Sequence, residues 1–150
     1  MRQPNSFFTD YYSISPGMVS QTPGQGAAYQ IAFNDGAGDP LVGDASYKLT
    51  LPANIPAKQF WSLTLYEAAN ASGFATEARR FPSLGSRDKP VQNADGTIDL
   101  YIGPKAPEGK EANWLPTAPE RGFFVILRLY GPEEAAIDYS WKPGDLMKTR

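Results

Sequence analysis

The sequence predicts an all-β fold, a jelly-roll-like antiparallel β-sandwich with one or two short helices. Three observations predict it. Apolar and polar residues alternate in several separate segments. Turn residues punctuate those segments, with 14 glycines and 14 prolines in 150 residues. No stretch keeps a helical period for more than a turn or two. The length suits one domain with one real core.

Taken in order, residues 1–26 are polar and rich in Gly, Pro, Ser and Gln, and read as an arm with at most one edge strand. The domain proper is expected over 27–150. Tyr29, Ile31 and Phe33 alternate with Ala28, Gln30 and Ala32, and Asn34-Asp35-Gly36 then marks a turn. Tyr47, Leu49 and Leu51 form the apolar side of a second strand that Pro52 ends. From Phe60 to Glu67, Trp61, Leu63 and Leu65 share one face, with Phe60, Ser62, Thr64 and Tyr66 on the other. Residues 68–78 have room for a turn or two of helix, weakened by Gly73. Asn93-Ala94-Asp95-Gly96 turns into a strand with Ile98, Leu100 and Ile102 opposite Asp99 and Tyr101. Residues 103–121 hold four prolines and read as a long ordered loop. Phe123 to Tyr130 is apolar on both faces except for Arg128, the pattern of a central strand. Pro132 and the acids after it open a short helix over 133–137.

Composition excludes several chemistries. With no Cys there is no disulfide and no thiol nucleophile. With no His there is no Ser-His-Asp triad and no imidazole base. A net charge of -2 offers no footprint for nucleic acid. The longest apolar run, Gly122 to Leu127, is too short to span a membrane. The first residues lead into no apolar signal segment. No cofactor or metal is expected. Asn34 to Asp39 with Asp44 supplies oxygen ligands, but in no calcium-loop order, and reads as a hairpin loop.

Four motifs carry a family resemblance. They are Leu51 to Ser62 (LPANIPAKQFWS), Arg80-Phe81-Pro82-Ser83, Gly103 to Trp114 (GPKAPEGKEANW), and Phe123 to Pro132 followed by Trp141-Lys142-Pro143-Gly144-Asp145. In this order they resemble the DUF1214 family, a domain of unknown function usually C-terminal to a DUF1254 domain in bacterial proteins. The resemblance implies a jelly-roll β-sandwich and allows a periplasmic location, but attaches no activity. Two departures stand out. The DUF1254-like half is absent from this sequence, so a site shared between halves would be incomplete or built differently. Asn70-Ala71-Ser72-Gly73-Phe74 replaces a Thr-Arg-Ser-Met-like stretch of relatives.

The candidate ligand-binding residues are Tyr66, Asp99, Tyr101, Asn113, Trp114 and Arg128. If the polar strand faces adjoin, Tyr66, Asp99, Tyr101 and Arg128 line one surface that would take a polar ligand by stacking and charge-assisted hydrogen bonds. The plainer alternative pairs Arg128 with Asp99 or Glu67 inside an ordinary sandwich. Asn113 and Trp114 stand out in the long loop, as an orienting amide and a platform, or as a backbone cap and an anchor. Glu67 and Asp99 are the carboxylate pair an acid–base enzyme would need. Three functions are in view: a non-catalytic module for a small polar or saccharide-like ligand, an assembly domain that pairs with a DUF1254-like domain or with itself, and an enzyme using carboxylate or Tyr chemistry.

Overall fold

The structure, a computed structural model, describes residues 22–149. Most of the expected arm, residues 1–21, lies outside the described residues. Among the described residues, eight strands and one short α-helix run in the order β1 (Ala27–Ala32), β2 (Ser46–Leu51), β3 (Ala57–Glu67), β4 (Ser83–Gly85), β5 (Ile98–Gly103), β6 (Trp114–Pro116), β7 (Phe123–Pro132), α1 (Glu134–Ile137) and β8 (Met147–Thr149), with 3-10 turns at Ser86–Asp88 and Glu111–Asn113. They make two four-stranded sheets, ordered β1-β7-β3-β4 and β6-β5-β2-β8. The all-β sandwich expected from the alternation is present.

Alternation decides which side chains meet between the sheets. Trp61, Leu63 and Leu65 of β3 and Phe123, Val125, Leu127 and Leu129 of β7 turn inward. They meet Tyr47, Leu49 and Leu51 of β2 and Ile98, Leu100 and Ile102 of β5 in one core. Hiding a Leu side chain contributes about 2 kcal/mol, so this layer is the principal source of stability. β7 is an inner strand, antiparallel to β1 on one side and β3 on the other. Its outward residues are half-buried, as the two-sided apolar pattern of Phe123 to Tyr130 requires.

Three details differ from expectation. Residues 68–78 hold no helix. Ala71 takes a left-handed φ of 60°, Gly73 bridges to Tyr66, and Phe74 is driven into the core. Burying that ring outweighs the weak helix propensity of the stretch. The 103–121 segment is not all loop. It contains β6, which pairs with β5 in parallel, so the second sheet is mixed. Finally, β3 starts three residues earlier than its alternation suggests, because a bulge interrupts the pattern after Ala57.

The bulge shapes one end of the sandwich. Ala57 pairs with Pro132 and Phe60 with Tyr130, so β3 has one residue more than β7 across the interval. Lys58 and Gln59 are both left exposed. Gly131 accommodates them with a φ of 65°, and a Cβ there would lie 3.1 Å from Gln59 Cγ. At the far edge, β4 presses close to β3. A Cβ on Gly85 would sit 2.3 Å from the carbonyl oxygen of Trp61, so no side chain fits. This approach sets Ser86 against Trp61, where its Oγ accepts the Trp61 N–H at 3.2 Å.

Candidate functional site

The six residues singled out from the sequence fall into two groups on opposite sides of the sandwich. Tyr66 and Arg128 lie on the outer face of the first sheet. There β3 and β7 adjoin, and Arg128 stands opposite Ser62 on one side and Tyr29 on the other. Arg128 Nη2 donates to the Tyr66 hydroxyl. Its guanidinium carbon lies 5.3 Å from the Tyr29 ring centroid and 5.5 Å from that of Tyr66. Tyr66 stacks on Phe124 at 5.4 Å, and Phe33 lies 5.0 Å beyond. Neither expected partner of Arg128 reaches it. Glu67 pairs with Arg121, Asp99 is on the other sheet, and no carboxylate among the described residues bridges to Arg128.

Asp99, Tyr101, Asn113 and Trp114 gather on the outer face of the second sheet. Asp99 accepts from Thr50 Oγ1 at 2.6 Å and from Asn93 Nδ2 at 3.1 Å, with Lys48 Nζ 3.5 Å away. Partial burial pushes its pKa up, but those hydrogen bonds and the Lys48 charge outweigh it, and the net shift is downward. Asn113 is buried and its amide is fully engaged. Its Oδ1 accepts the Val91 N–H at 2.8 Å, and its Nδ2 donates to the carbonyls of Val91 at 2.9 Å and Asp99 at 2.8 Å. Trp114 donates its indole N–H to the Gly103 carbonyl at 2.9 Å. Asp99, Tyr101 and Asn113 border a hollow of about 50 Å³. That is space for one or two waters, against the several hundred Å³ of a typical ligand pocket.

The other candidates are spent locally. Asp35 accepts the N–H groups of Ala37 and Asp39, closing its hairpin loop as an Asx turn. Glu67 and Asp99 belong to different sheets and share no cleft, so they do not form the facing pair that acid–base catalysis needs.

A larger cleft opens at one end of the sandwich, bordered by residues of the Leu51 to Ser62 motif that the sequence did not mark as a site. Its volume is about 520 Å³, and it lies between the β2–β3 connection, the bulged start of β3, and the segment from Ser86 to Ile98. Asn54, Gln59, Ser86, Gln92 and Asp95 supply its polar groups, and Phe60, Trp61 and Ile98 its apolar ones. Each position has a local cause. Asn54 tolerates a φ of 61°, as amides do in turns. Gln59 is turned out by the bulge. Ser86 follows the tight approach of Gly85. Asp95 belongs to the Asn93–Gly96 turn and accepts both the hydroxyl and the N–H of Thr97. The Thr97 hydroxyl is the chief cause of its lowered pKa. The side-chain amides of Asn54, Gln59 and Gln92 form no hydrogen bond with other described residues. Asp95 is the one formally charged residue among those lining this space of about 520 Å³.

The fold and its cleft define a small all-β sandwich with an amide-lined end cleft and without a metal-holding group of acids among the described residues. Residues 26–134 match the model of the family described as protein of unknown function, DUF1214. The chain belongs to that family. Among solved structures, it is similar to the VPA0106 protein from Vibrio parahaemolyticus, with a TM-score of 0.72, 25% identity, and coverage of 83% of this chain and 31% of that one. It also resembles in fold an uncharacterised protein from Burkholderia cenocepacia, with a TM-score of 0.51, 17% identity, and coverage of 91% and 33%. The chain thus spans about a third of the length of either protein. No curated protein matches the sequence.

Proposed function

We propose that the chain is a non-catalytic module that binds a small polar, saccharide-like ligand in the end cleft. One observation carries this reading. A cleft of about 520 Å³ presents three uncommitted side-chain amides and a serine beside Phe60 and Trp61. Amides both donate and accept, as sugar hydroxyls do. With one carboxylate in this space, the recognition is by hydrogen bonds more than by charge. The site differs from the six residues expected from the sequence, whose polar groups are largely engaged within the protein.

Titration with neutral mono- and disaccharides, followed by Trp fluorescence and amide chemical shifts, tests it. Changes at Trp61, Gln92 and Asn54 are the expected result. Gln92→Ala should weaken binding by about 1 kcal/mol, roughly fivefold in Kd, with the melting temperature unchanged. Shifts scattered over the surface, or a Gln92→Ala variant that binds as well, would remove the reading.

A second reading, assembly against a DUF1254-like domain or another copy, draws on the outer face of the first sheet. Phe33, Tyr66 and Phe124 form one aromatic row there, and Phe60 stacks on Tyr130 at 4.2 Å. Native mass spectrometry separates the two: a monomer with a sugar adduct supports binding, and a clean dimer supports assembly.

A further inference from the structure

The end cleft does not stop at its first lobe. Past Trp61, Ser86, Gln92 and Ile98, which it shares, it continues into a second lobe of about 280 Å³ bounded by Lys89 and Pro90. The two lobes differ in charge. Asp95 is the charged residue of the first, and Lys89 that of the second.

Lys89 is placed there by the backbone. It ends the helical turn Ser86–Asp88 in a left-handed conformation, φ 53° and ψ 56°, with its N–H bonded to the Ser86 carbonyl. A left-handed residue commonly closes a helical turn in this way, so the conformation follows from the turn Ser86–Asp88. The neighbouring acid does not neutralise it. Asp88 accepts the Gly85 N–H at 2.8 Å and pairs with Arg79 at 3.6 Å. Arg87 lines neither lobe; its guanidinium carbon lies 4.0 Å from the centroid of the Phe60 ring. Among the described residues no carboxylate pairs with either Lys89 or Arg87.

We infer that the second lobe is an anion subsite and that the ligand is an acidic saccharide, its carboxylate held by Lys89 while its hydroxyls meet the amides and Asp95 in the first lobe. The inference rests on the binding function proposed for this cleft and narrows it to a class. An ammonium–carboxylate hydrogen bond in a partly enclosed site is about twice as strong as a neutral one. It also weakens with salt, because the site opens to solvent.

The test compares a disaccharide ending in glucuronate with the same disaccharide ending in glucose, by calorimetric titration at low and physiological salt. The acidic sugar should bind roughly tenfold tighter, in line with a hydrogen bond to a charged group. Salt should shrink the preference. Lys89→Gln should abolish it and Lys89→Arg should keep it. Gln and Arg meet the same backbone demand as Lys at this position, so both variants should melt with the native protein. Equal binding of the two sugars would overturn the anion subsite and leave the cleft's function standing. A preference untouched by Lys89→Gln would overturn the role of Lys89. Binding of neither sugar would overturn both.

Discussion

Replacing Asn113 with Ala removes three hydrogen bonds at once. The amide clamps Val91 through its N–H and its carbonyl and ties that segment to the Asp99 carbonyl of β5. A typical buried hydrogen bond contributes about 1 kcal/mol net, so the upper figure is about 3 kcal/mol. Val91 lies on the surface, and water would satisfy part of what its backbone loses. A loss of about 2 kcal/mol is then the lower figure. For a domain of this size each kcal/mol moves the melting temperature by roughly 2–4 °C, which places the expected fall between about 4 and 12 °C. Thermal denaturation followed by circular dichroism reads it directly. Asn113→Asp sharpens the measurement. It keeps the acceptor for Val91 N–H but turns an oxygen on two carbonyls, and should be destabilised at neutral pH and partly relieved by acid. A shift under about 2 °C for Asn113→Ala would refute the clamp. It would return Asn113 to the pool of side chains free to meet a ligand.

Two further outcomes are expected from the geometry. Gly85→Ala forces a Cβ toward the Trp61 carbonyl, 2.3 Å away in the native backbone. The strain should cost about 1–3 kcal/mol and lower saccharide affinity as well, since Ser86 moves with it; retained stability in urea denaturation would contradict the close approach. Asp99 has a folded-state pKa below the ordinary carboxylate value, so its contribution is fully present above that value and lost as pH falls through the folded pKa. The melting temperatures of the native protein and Asp99→Asn should therefore differ at pH 7 and converge in strong acid. A gap that persists undiminished below about pH 2 would count against the bonds from Thr50 and Asn93.

Strands long enough to alternate were legible in the sequence; short ones were not. β2 and β5 expose period-two patterns because one face is core and the other solvent. β4 and β6 bring one large apolar side chain each to the core, Leu84 and Leu115, and β8 brings none, so three residues carry no period to read. The polar strand faces were also legible, but not which sheet each would join. Tyr66 and Arg128 do share a surface, while Asp99 and Tyr101 face the other way, because β5 pairs with β2 and not with β3. Asn113 was visible as an unusual loop amide, and its partner 22 positions upstream was not. The cleft was hardest to see. Its amides come from a turn, a bulge and a loop; the Leu51 to Ser62 motif and the Asn93-Ala94-Asp95-Gly96 turn were both visible, but not that they border one cleft.

The position of β7 also governs when this domain can form. It is one of the two inner strands of its sheet, and it takes its pairings from β1, about a hundred residues upstream, and from β3. Until Pro132 has left the ribosome, β1 has no neighbour among the described strands of its sheet, and one edge of β3 is unpaired. The β2–β5 pair can assemble earlier, yet its apolar side would stay wet. Folding during synthesis is therefore a late and collective event, slow in the way long-range strand pairing is slow. A ribosome paused before residue 123 would hold out a chain with exposed β1 and β3 edges, the state in which this protein is most open to chaperones and to aggregation.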